Sequence, residues 1–94
     1  MKLLSIKKSS SKGKKLTATF QDGDKTRIRH FGATGYTDYT KGATDEQRKA
    51  YRARHASGAT AKADSPNALS YHILWGSSKS LATNISAFKK KYNL

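Results

Sequence analysis

The apolar positions in the first third of the chain recur at every second residue, which is the spacing of β-strands. Residues 2–7 place Leu4 and Ile6 at alternate positions and predict a short first strand. Residues 16–20 alternate apolar and hydroxyl side chains and predict a second strand. The apolar face of the second strand would carry Leu16, Ala18 and Phe20.

A third predicted strand returns after a turn at residues 22–24, where glycine between two aspartates favours a hairpin. It covers residues 25–31, and alternation divides its side chains between two faces. One face would carry Thr26, Ile28 and His30, and the other Arg27, Arg29 and Phe31. One face of this β-meander is therefore predicted to be basic, and its apolar side needs a cover.

The second half of the chain has the signals of helices. Thr44 can cap a first helix and Gln47 stands at the capping-box position three residues later. This helix is predicted to run through His55 and to stop before Gly58, with a thin apolar stripe and a basic remainder.

Two more helical segments follow. Ser65 and Pro66 form a cap and a first helical residue, and Gly76 ends the most apolar stretch of the chain. Hydroxyl residues at positions 77–80 then begin a last helix, whose apolar stripe steps by four, three and four residues. That stripe consists of Leu81, Ile85, Phe88 and Tyr92.

These elements predict an α+β fold in one domain of 94 residues: a small antiparallel β-meander of about three strands packed against two or three short helices. The meander would span residues 2–31, an aromatic and glycine-rich turn residues 32–43, and the helical half residues 44–94. The predicted core consists of Phe20, Ile28, Leu69, Ile73, Trp75, Leu81, Ile85 and Phe88.

Charge changes the picture from a fold to a class of partner. The chain has 19 Lys and Arg against 6 Asp and Glu, a formal net charge of +13. Such a surplus repels itself when the chain compacts, so a polyanionic partner is expected: nucleic acid, an acidic protein surface or an anionic membrane surface. The candidate nucleic-acid-binding residues are Arg27, Arg29, Arg48, Lys49, Arg52, Arg54, Lys89, Lys90 and Lys91. No helix-turn-helix, zinc-finger or RNA-binding-strand pattern accompanies them, so binding would be to phosphates with little sequence specificity.

Other classes of chemistry lack their motifs. The chain has no cysteine, and its three histidines lie far apart, so no metal site or cofactor is predicted. No apolar run is long enough to span a membrane. We expect His72 to be a satisfied core or boundary residue.

The turn at residues 30–40 is the most unusual stretch. It combines two glycines, His30, Tyr36, Asp38 and Tyr39, but has neither a phosphate-loop pattern nor a second carboxylate. Asp38 is expected to bond turn backbone or to pair with an arginine. The turn either locks a strand-to-helix corner or forms an interface, for which Trp75 is a further candidate. No catalytic residue is predicted, and the chain is not expected to be an enzyme.

Three blocks carry a resemblance to a known family: residues 30–40, residues 48–55 and residues 69–76, the last containing Ile-Leu-Trp-Gly. In this order they resemble a family of small basic uncharacterised proteins of nucleocytoplasmic large DNA viruses. The resemblance covers about residues 25–94 and carries over no catalytic residue. It implies a virus-encoded, virion-associated protein, found in the particle and in the nucleus or cytoplasm of the infected cell.

Together, charge and resemblance predict a virion protein that binds polyanion, with viral DNA favoured over RNA. The alternative is a minor capsid or cement protein whose positive charge meets acidic capsid proteins, with Tyr36, Tyr39 and Trp75 as anchors. A third, weaker hypothesis is an enzyme or regulator that acts on host factors, and the oligomeric state stays open.

Overall fold

The computed structural model describes all residues, 1–94, and contains a three-stranded antiparallel sheet. Its strands are β1 (Lys2–Lys8), β2 (Lys14–Asp22) and β3 (Lys25–Ala33), in the spatial order β1-β2-β3. Each strand pairs with the next one along the chain, so the sheet is a meander, as predicted.

Three helices follow the sheet: α1 (Asp45–Arg54), α2 (Pro66–Leu69) and α3 (Leu81–Tyr92). Short 3₁₀ turns at Tyr39–Lys41 and Ala56–Ala59 precede and follow α1. A π-helical segment, Ser70–Leu74, continues directly from α2. The predicted α+β class is confirmed. None of these helices has both the length and the apolar character needed to cross a bilayer.

Local capping signals account for where the helices begin. The Thr44 hydroxyl accepts a hydrogen bond from the Gln47 N–H, and the Gln47 side chain accepts from the Thr44 N–H, so the capping box is present. At the start of α2 the Ser65 hydroxyl accepts from the Ala68 N–H, and at the start of α3 the Ser80 hydroxyl accepts from the Thr83 N–H. All three predicted helix starts are confirmed. They could be predicted from the sequence because each depends only on residues within one turn of the cap.

One face of the sheet packs against the helices and forms the core. Ala18, Phe20 and Phe31 are fully buried on that face, under Leu69 of α2 and Ile73 of the π-helical segment. We call α2 and the π-helical segment together, residues 66–74, the α2 region. The core cluster consists of Leu3, Ala18, Phe20, Phe31, Ala43, Ala63, Ala68, Leu69, Ile73, Leu74, Trp75 and Phe88. Burial of five predicted core residues is confirmed, namely Phe20, Leu69, Ile73, Trp75 and Phe88, while Leu81 and Ile85 are half-buried against the cluster.

A β-bulge in β1 makes the alternation predicted for this strand wrong. Leu3 pairs with Phe20 and Ser5 with Thr19, so the pairing skips Leu4. Leu3 is therefore buried, and Leu4 is 55% exposed. Ile6 returns to the covered face opposite Ala18 and packs against the core.

The prediction that Ile28 belongs to the core is also wrong. Register places Arg27 beside Phe20 and Arg29 beside Ala18, so both arginines share the covered face of the sheet with Phe31. Ile28 points to the opposite, open face and is 55% exposed. The alternation was predicted correctly, but hydrophobicity indicated the wrong face as buried.

Candidate nucleic-acid interface

The corner after β3 is held by a buried carboxylate. Asp38 is 1% exposed and accepts hydrogen bonds from the Thr40 backbone N–H at 2.9 Å and from Lys15 Nζ at 2.7 Å. Its cationic partner is therefore a lysine of β2, not an arginine. Gly32 precedes the corner with φ +79°, and a Cβ there would lie 2.7 Å from Leu74 Cδ1. These contacts fix the corner against the sheet and against the end of the α2 region.

Two arginines of α1 bind backbone carbonyls of the π-helical segment and of the two residues that follow it. Arg52 Nη1 donates to the carbonyls of Tyr71 at 3.2 Å and Trp75 at 2.8 Å, and its guanidinium lies 3.9 Å from the centre of the Tyr71 ring. Arg48 Nε donates to the Gly76 carbonyl at 2.7 Å. Burial lowers the pKa of the Arg52 guanidinium from its ordinary value, because the charged form loses solvation. Both side chains therefore already serve an intramolecular role.

Two arginines of β3 pair with acidic groups of the same chain. Arg27 lies 3.3 Å from carboxylate oxygens of both Asp22 and Asp64. Arg29 Nε donates to the Asp64 carbonyl at 3.1 Å, and its Nη2 lies 3.5 Å from the Asp64 carboxylate. These interactions tie β3 to the loop before α2, so the predicted basic face of the meander is partly neutralised.

The remaining predicted phosphate ligands are exposed. Arg54 and Lys49 lie on the solvent side of α1, and Lys89 to Lys91 lie in the last turn of α3. No carboxylate lies within ion-pair distance of any of them. These five side chains are available to an external anion.

A cleft of about 660 Å³ opens between the corner, α1 and the α2 region. We call it the ring cleft. Its walls include the rings of Tyr36, Tyr51, His55 and Trp75 and the cationic side chains of Lys14, Lys15 and Arg54. Arg54 is the only predicted phosphate ligand that lines the ring cleft. Of the predicted turn or interface residues, the cleft brings together Tyr36, Asp38 and Trp75.

Three rings of this cleft form a stack. Tyr51 lies parallel to Trp75, with centroids 4.4 Å apart and an interplanar angle of 8°, and also stacks on His55 at 4.2 Å. Trp75 is nearly buried at the inner end, whereas His55 is exposed at the outer end. Burial raises the pKa of Tyr51 above its ordinary value, because the phenolate form would lose solvation.

A second cleft, of about 590 Å³, shares Lys14, Lys15 and Asp38 with the ring cleft. We call it the lysine cleft, because Lys8 and Lys41 also line it. Asp38 is its only carboxylate, and Lys15 neutralises that charge. The two clefts adjoin through their shared residues and carry a net positive charge.

A hollow of about 270 Å³ brings Arg48 and Arg52 together with Lys91 of α3. His72 also lines it, and burial lowers the pKa of this histidine, with Lys91 and Arg52 adding to the effect. His72 lies 3.3 Å from the Tyr92 hydroxyl and is half-buried, as expected of a boundary residue.

The other turn residues differ in exposure. Tyr36 is 75% exposed, whereas Trp75 is only 9% exposed. Tyr39 is half-buried and donates its hydroxyl to Asp45. His30 lies on the open face of the sheet, where its Nδ1 is 2.8 Å from the Thr17 hydroxyl and 2.9 Å from that of Ser9. Of the predicted aromatic anchors, Tyr36 alone is largely exposed to solvent.

Sequence reasoning missed the contribution of Lys14, Lys15 and His55 to one cleft. Lys14 and Lys15 were visible as part of a basic run, and His55 as the end of a helix. No local pattern shows that residues 14, 36 and 55 converge. No three His, Cys, Asp or Glu side chains come together as a group that could hold a metal ion.

The chain is a member of an uncharacterised protein family. The model of a family of unknown function, DUF5754, matches residues 4–55, more than half of the chain. The matched segment contains nearly the whole sheet, the corner and α1.

A relative in a giant virus extends the similarity. The uncharacterized protein L851 of Acanthamoeba polyphaga mimivirus is 38% identical over 80 residues, which cover 77% of this chain and 80% of the relative. The chain therefore belongs to an uncharacterised family with a giant-virus member, as the resemblance predicted. No solved structure matches the chain.

Proposed function

We propose that this protein is a small basic virion-associated protein that binds polyanion, foremost viral DNA, without sequence specificity. One observation carries the proposal: of 19 Lys and Arg side chains, only Lys15, Arg27 and Arg29 form ion pairs within the chain. The similarity to a giant-virus protein supports a viral setting.

The side-chain environments favour lysine-led binding. Arg48 and Arg52 are engaged with backbone carbonyls, whereas Lys49, Arg54 and the lysines at residues 89–91 are exposed. A lysine ammonium is a mobile point charge that suits phosphate but reads no base edge. Binding is therefore expected to follow the number of phosphates neutralised rather than their sequence.

The test is the salt dependence of binding to a duplex DNA of mixed sequence. If six or more phosphates are neutralised, raising salt from about 50 to 200 mM lowers affinity by about a thousandfold or more. Replacing Lys89, Lys90 and Lys91 by alanine should reduce the slope of log K against log salt by about 0.9 for each phosphate that is no longer neutralised. Ser86→Ala, an exposed neutral change on the same helix, is the matched control and should leave the slope unchanged.

Affinity that does not change with salt, or no binding at low salt, would overturn this function. A scrambled duplex of the same length must bind equally well, because phosphates carry no sequence information. A strong preference for one sequence would also contradict the proposal.

A second candidate is a minor capsid protein, and the open face of the sheet favours it. Leu4 and Ile28 are both 55% exposed, and Ile28 lies on this face. Exposed apolar side chains on an uncovered sheet suit contact with another protein. Location in the particle separates the candidates: a DNA-binding role places the protein with the genome, and a capsid role places it in the shell.

A further inference from the structure

The ring cleft combines stacking surfaces with free cations. We propose that it binds single-stranded nucleic acid, holding an unstacked base against its exposed rings and the neighbouring phosphates at Lys14 and Arg54. This inference rests on the proposed polyanion binding and names the form of nucleic acid that the cleft accepts.

The rings provide two exposed surfaces. His55 is the exposed end of a stack of three rings. Its ring centroid lies 4.2 Å from that of Tyr51, which in turn lies 4.4 Å from that of Trp75. A base placed on His55 would extend an existing stack, which requires no rearrangement of the protein. Tyr36 is 75% exposed, and its side chain has no hydrogen-bond or ring partner within the chain. Aromatic rings of this kind hold successive bases in single-strand-binding proteins.

The charge of the cleft suits a phosphate backbone. Lys14 and Arg54 lie on its walls and have no carboxylate within ion-pair distance. Asp38 is the only carboxylate on the walls, and its charge is compensated by Lys15 at 2.7 Å. The adjoining lysine cleft adds Lys8 and Lys41, so a strand that leaves the ring cleft finds further cations.

Size and shape favour a single strand over a duplex. A volume of about 660 Å³ lies within the range of about 300–1,000 Å³ that is typical of small-molecule sites. A duplex keeps its bases stacked inside and offers only its outer surface, so it would leave the rings of the cleft unused. A single strand can turn one base into the cleft while its phosphates stay at the rim.

The backbone that lines the ring cleft includes a rare helical conformation. The π-helical segment Ser70–Leu74 ends where the Trp75 N–H donates to the Ser70 carbonyl at 3.0 Å. Ser70, Leu74 and Trp75 all line the ring cleft. π-helical turns are rare and are often found at functional sites. Here the segment sets the position of Trp75 at the inner end of the ring stack.

The experiment compares a 15-nucleotide oligothymidylate with a duplex of equal length at one low salt concentration. Tyr36→Ala and His55→Ala should each weaken single-strand binding by about tenfold, which is the scale of one base–aromatic stack. Duplex affinity and its salt slope should stay unchanged for Tyr36→Ala, because that substitution removes no charge. Tyr36→Phe keeps the ring and should retain single-strand binding.

Ile28→Ala is the matched control, since it removes an exposed apolar side chain on the open face of the sheet, away from both clefts. A single 2-aminopurine in the oligonucleotide reports stacking directly, through quenching that Tyr36→Ala should reduce. Tyr36 is exposed and has no ring partner, so the thermal midpoint of Tyr36→Ala should match that of the parent protein. His55→Ala removes the stacking contact with Tyr51 and should lower the midpoint slightly.

The outcomes separate this inference from the proposed function. Salt-dependent duplex binding, with single-strand affinity unaffected by Tyr36→Ala and His55→Ala, would overturn the cleft assignment and leave the proposed function standing. Absence of binding to both nucleic acids at low salt would overturn both. Loss of single-strand binding in Ile28→Ala to the same degree would also contradict a specific role of the cleft.

Discussion

Asn84 shows how much one buried polar side chain can decide. It is 2% exposed, and its Nδ2 donates to the carbonyls of Ile73 at 2.8 Å and Ser78 at 2.7 Å. Its Oδ1 accepts from the Ser78 N–H at 3.0 Å. Gly76 lies beside it, and a Cβ at that glycine would overlap the His72 carbonyl. Asn84 thus connects α3 to the end of the π-helical segment.

Asn84→Ala is expected to lower the free energy of unfolding by about 2 kcal/mol or more. The substitution leaves the Ile73 and Ser78 carbonyls and the Ser78 N–H without their hydrogen bonds to the Asn84 side chain. Asn84→Asp should be more damaging still, since a carboxylate oxygen would face two carbonyl oxygens in place of the amide N–H groups. The exposed neighbour Thr83→Ala is the control and should change stability by less than about 0.5 kcal/mol. Urea titration measures all three, and equal effects at positions 83 and 84 would contradict the bonding described.

The first helix shows that one element can serve two purposes. Its sequence is basic with a thin apolar stripe, and no residue of α1 is fully buried. Its inner side nevertheless carries Arg48 and Arg52 to the carbonyls at the end of the π-helical segment. Its outer side carries Lys49 and Arg54 to solvent. A helix-level description as a solvated basic surface is therefore correct for only half of its cations.

Arg52→Ala is expected to reduce stability by about 1–2 kcal/mol, because it removes two carbonyl bonds to a charged donor and a cation–π interaction at a half-buried site. Arg54→Ala, two residues further along α1, should change stability by less than about 0.5 kcal/mol while weakening nucleic-acid binding. Arg52→Lys should recover only part of the stability, since an ammonium cannot reproduce the guanidinium fork.

Chemical denaturation and a binding titration on the same samples test this separation. Equal reductions in stability for Arg52→Ala and Arg54→Ala would show that the backbone hydrogen bonds of Arg52 contribute nothing measurable.

At the scale of the whole molecule, charge opposes compaction. A formal charge of +13 is held within a radius of gyration of 12.6 Å, and four ion pairs involve only three of the cations. The core that resists this repulsion is one small cluster between a single sheet face and the helices. We therefore expect repulsion between like charges to lower the free energy of unfolding substantially.

Raising sodium chloride from about 0.01 to 0.1 M should raise the thermal midpoint, because the screening length falls from about 30 to about 10 Å, less than the dimensions of the molecule. The triple alanine variant at Lys89, Lys90 and Lys91 carries less charge and should show a smaller increase. A midpoint that falls with salt would mean that the ion pairs around Asp38 and Asp64 outweigh the repulsion.

Local signals in the sequence were sufficient for the class of fold and for the helix starts. Thr44 with Gln47, Ser65 with Pro66, and Ser80 act within one turn, so their outcome does not depend on distant residues. Alternation likewise identified three strands. It could not identify the buried face of β3, because Arg27 and Arg29 lie on that face at its margin, where Asp64 compensates them.

Composition, periodicity and capping residues are local properties, and they are enough to predict a short α+β chain with a large surplus of positive charge. Contacts between distant residues are needed to establish which cations stay unpaired, that a bulge turns Leu4 outward, and that Lys14, Tyr36 and His55 line one cleft. Such outcomes depend on interactions between residues far apart in the chain. A sequence pattern has no period or spacing that records those interactions.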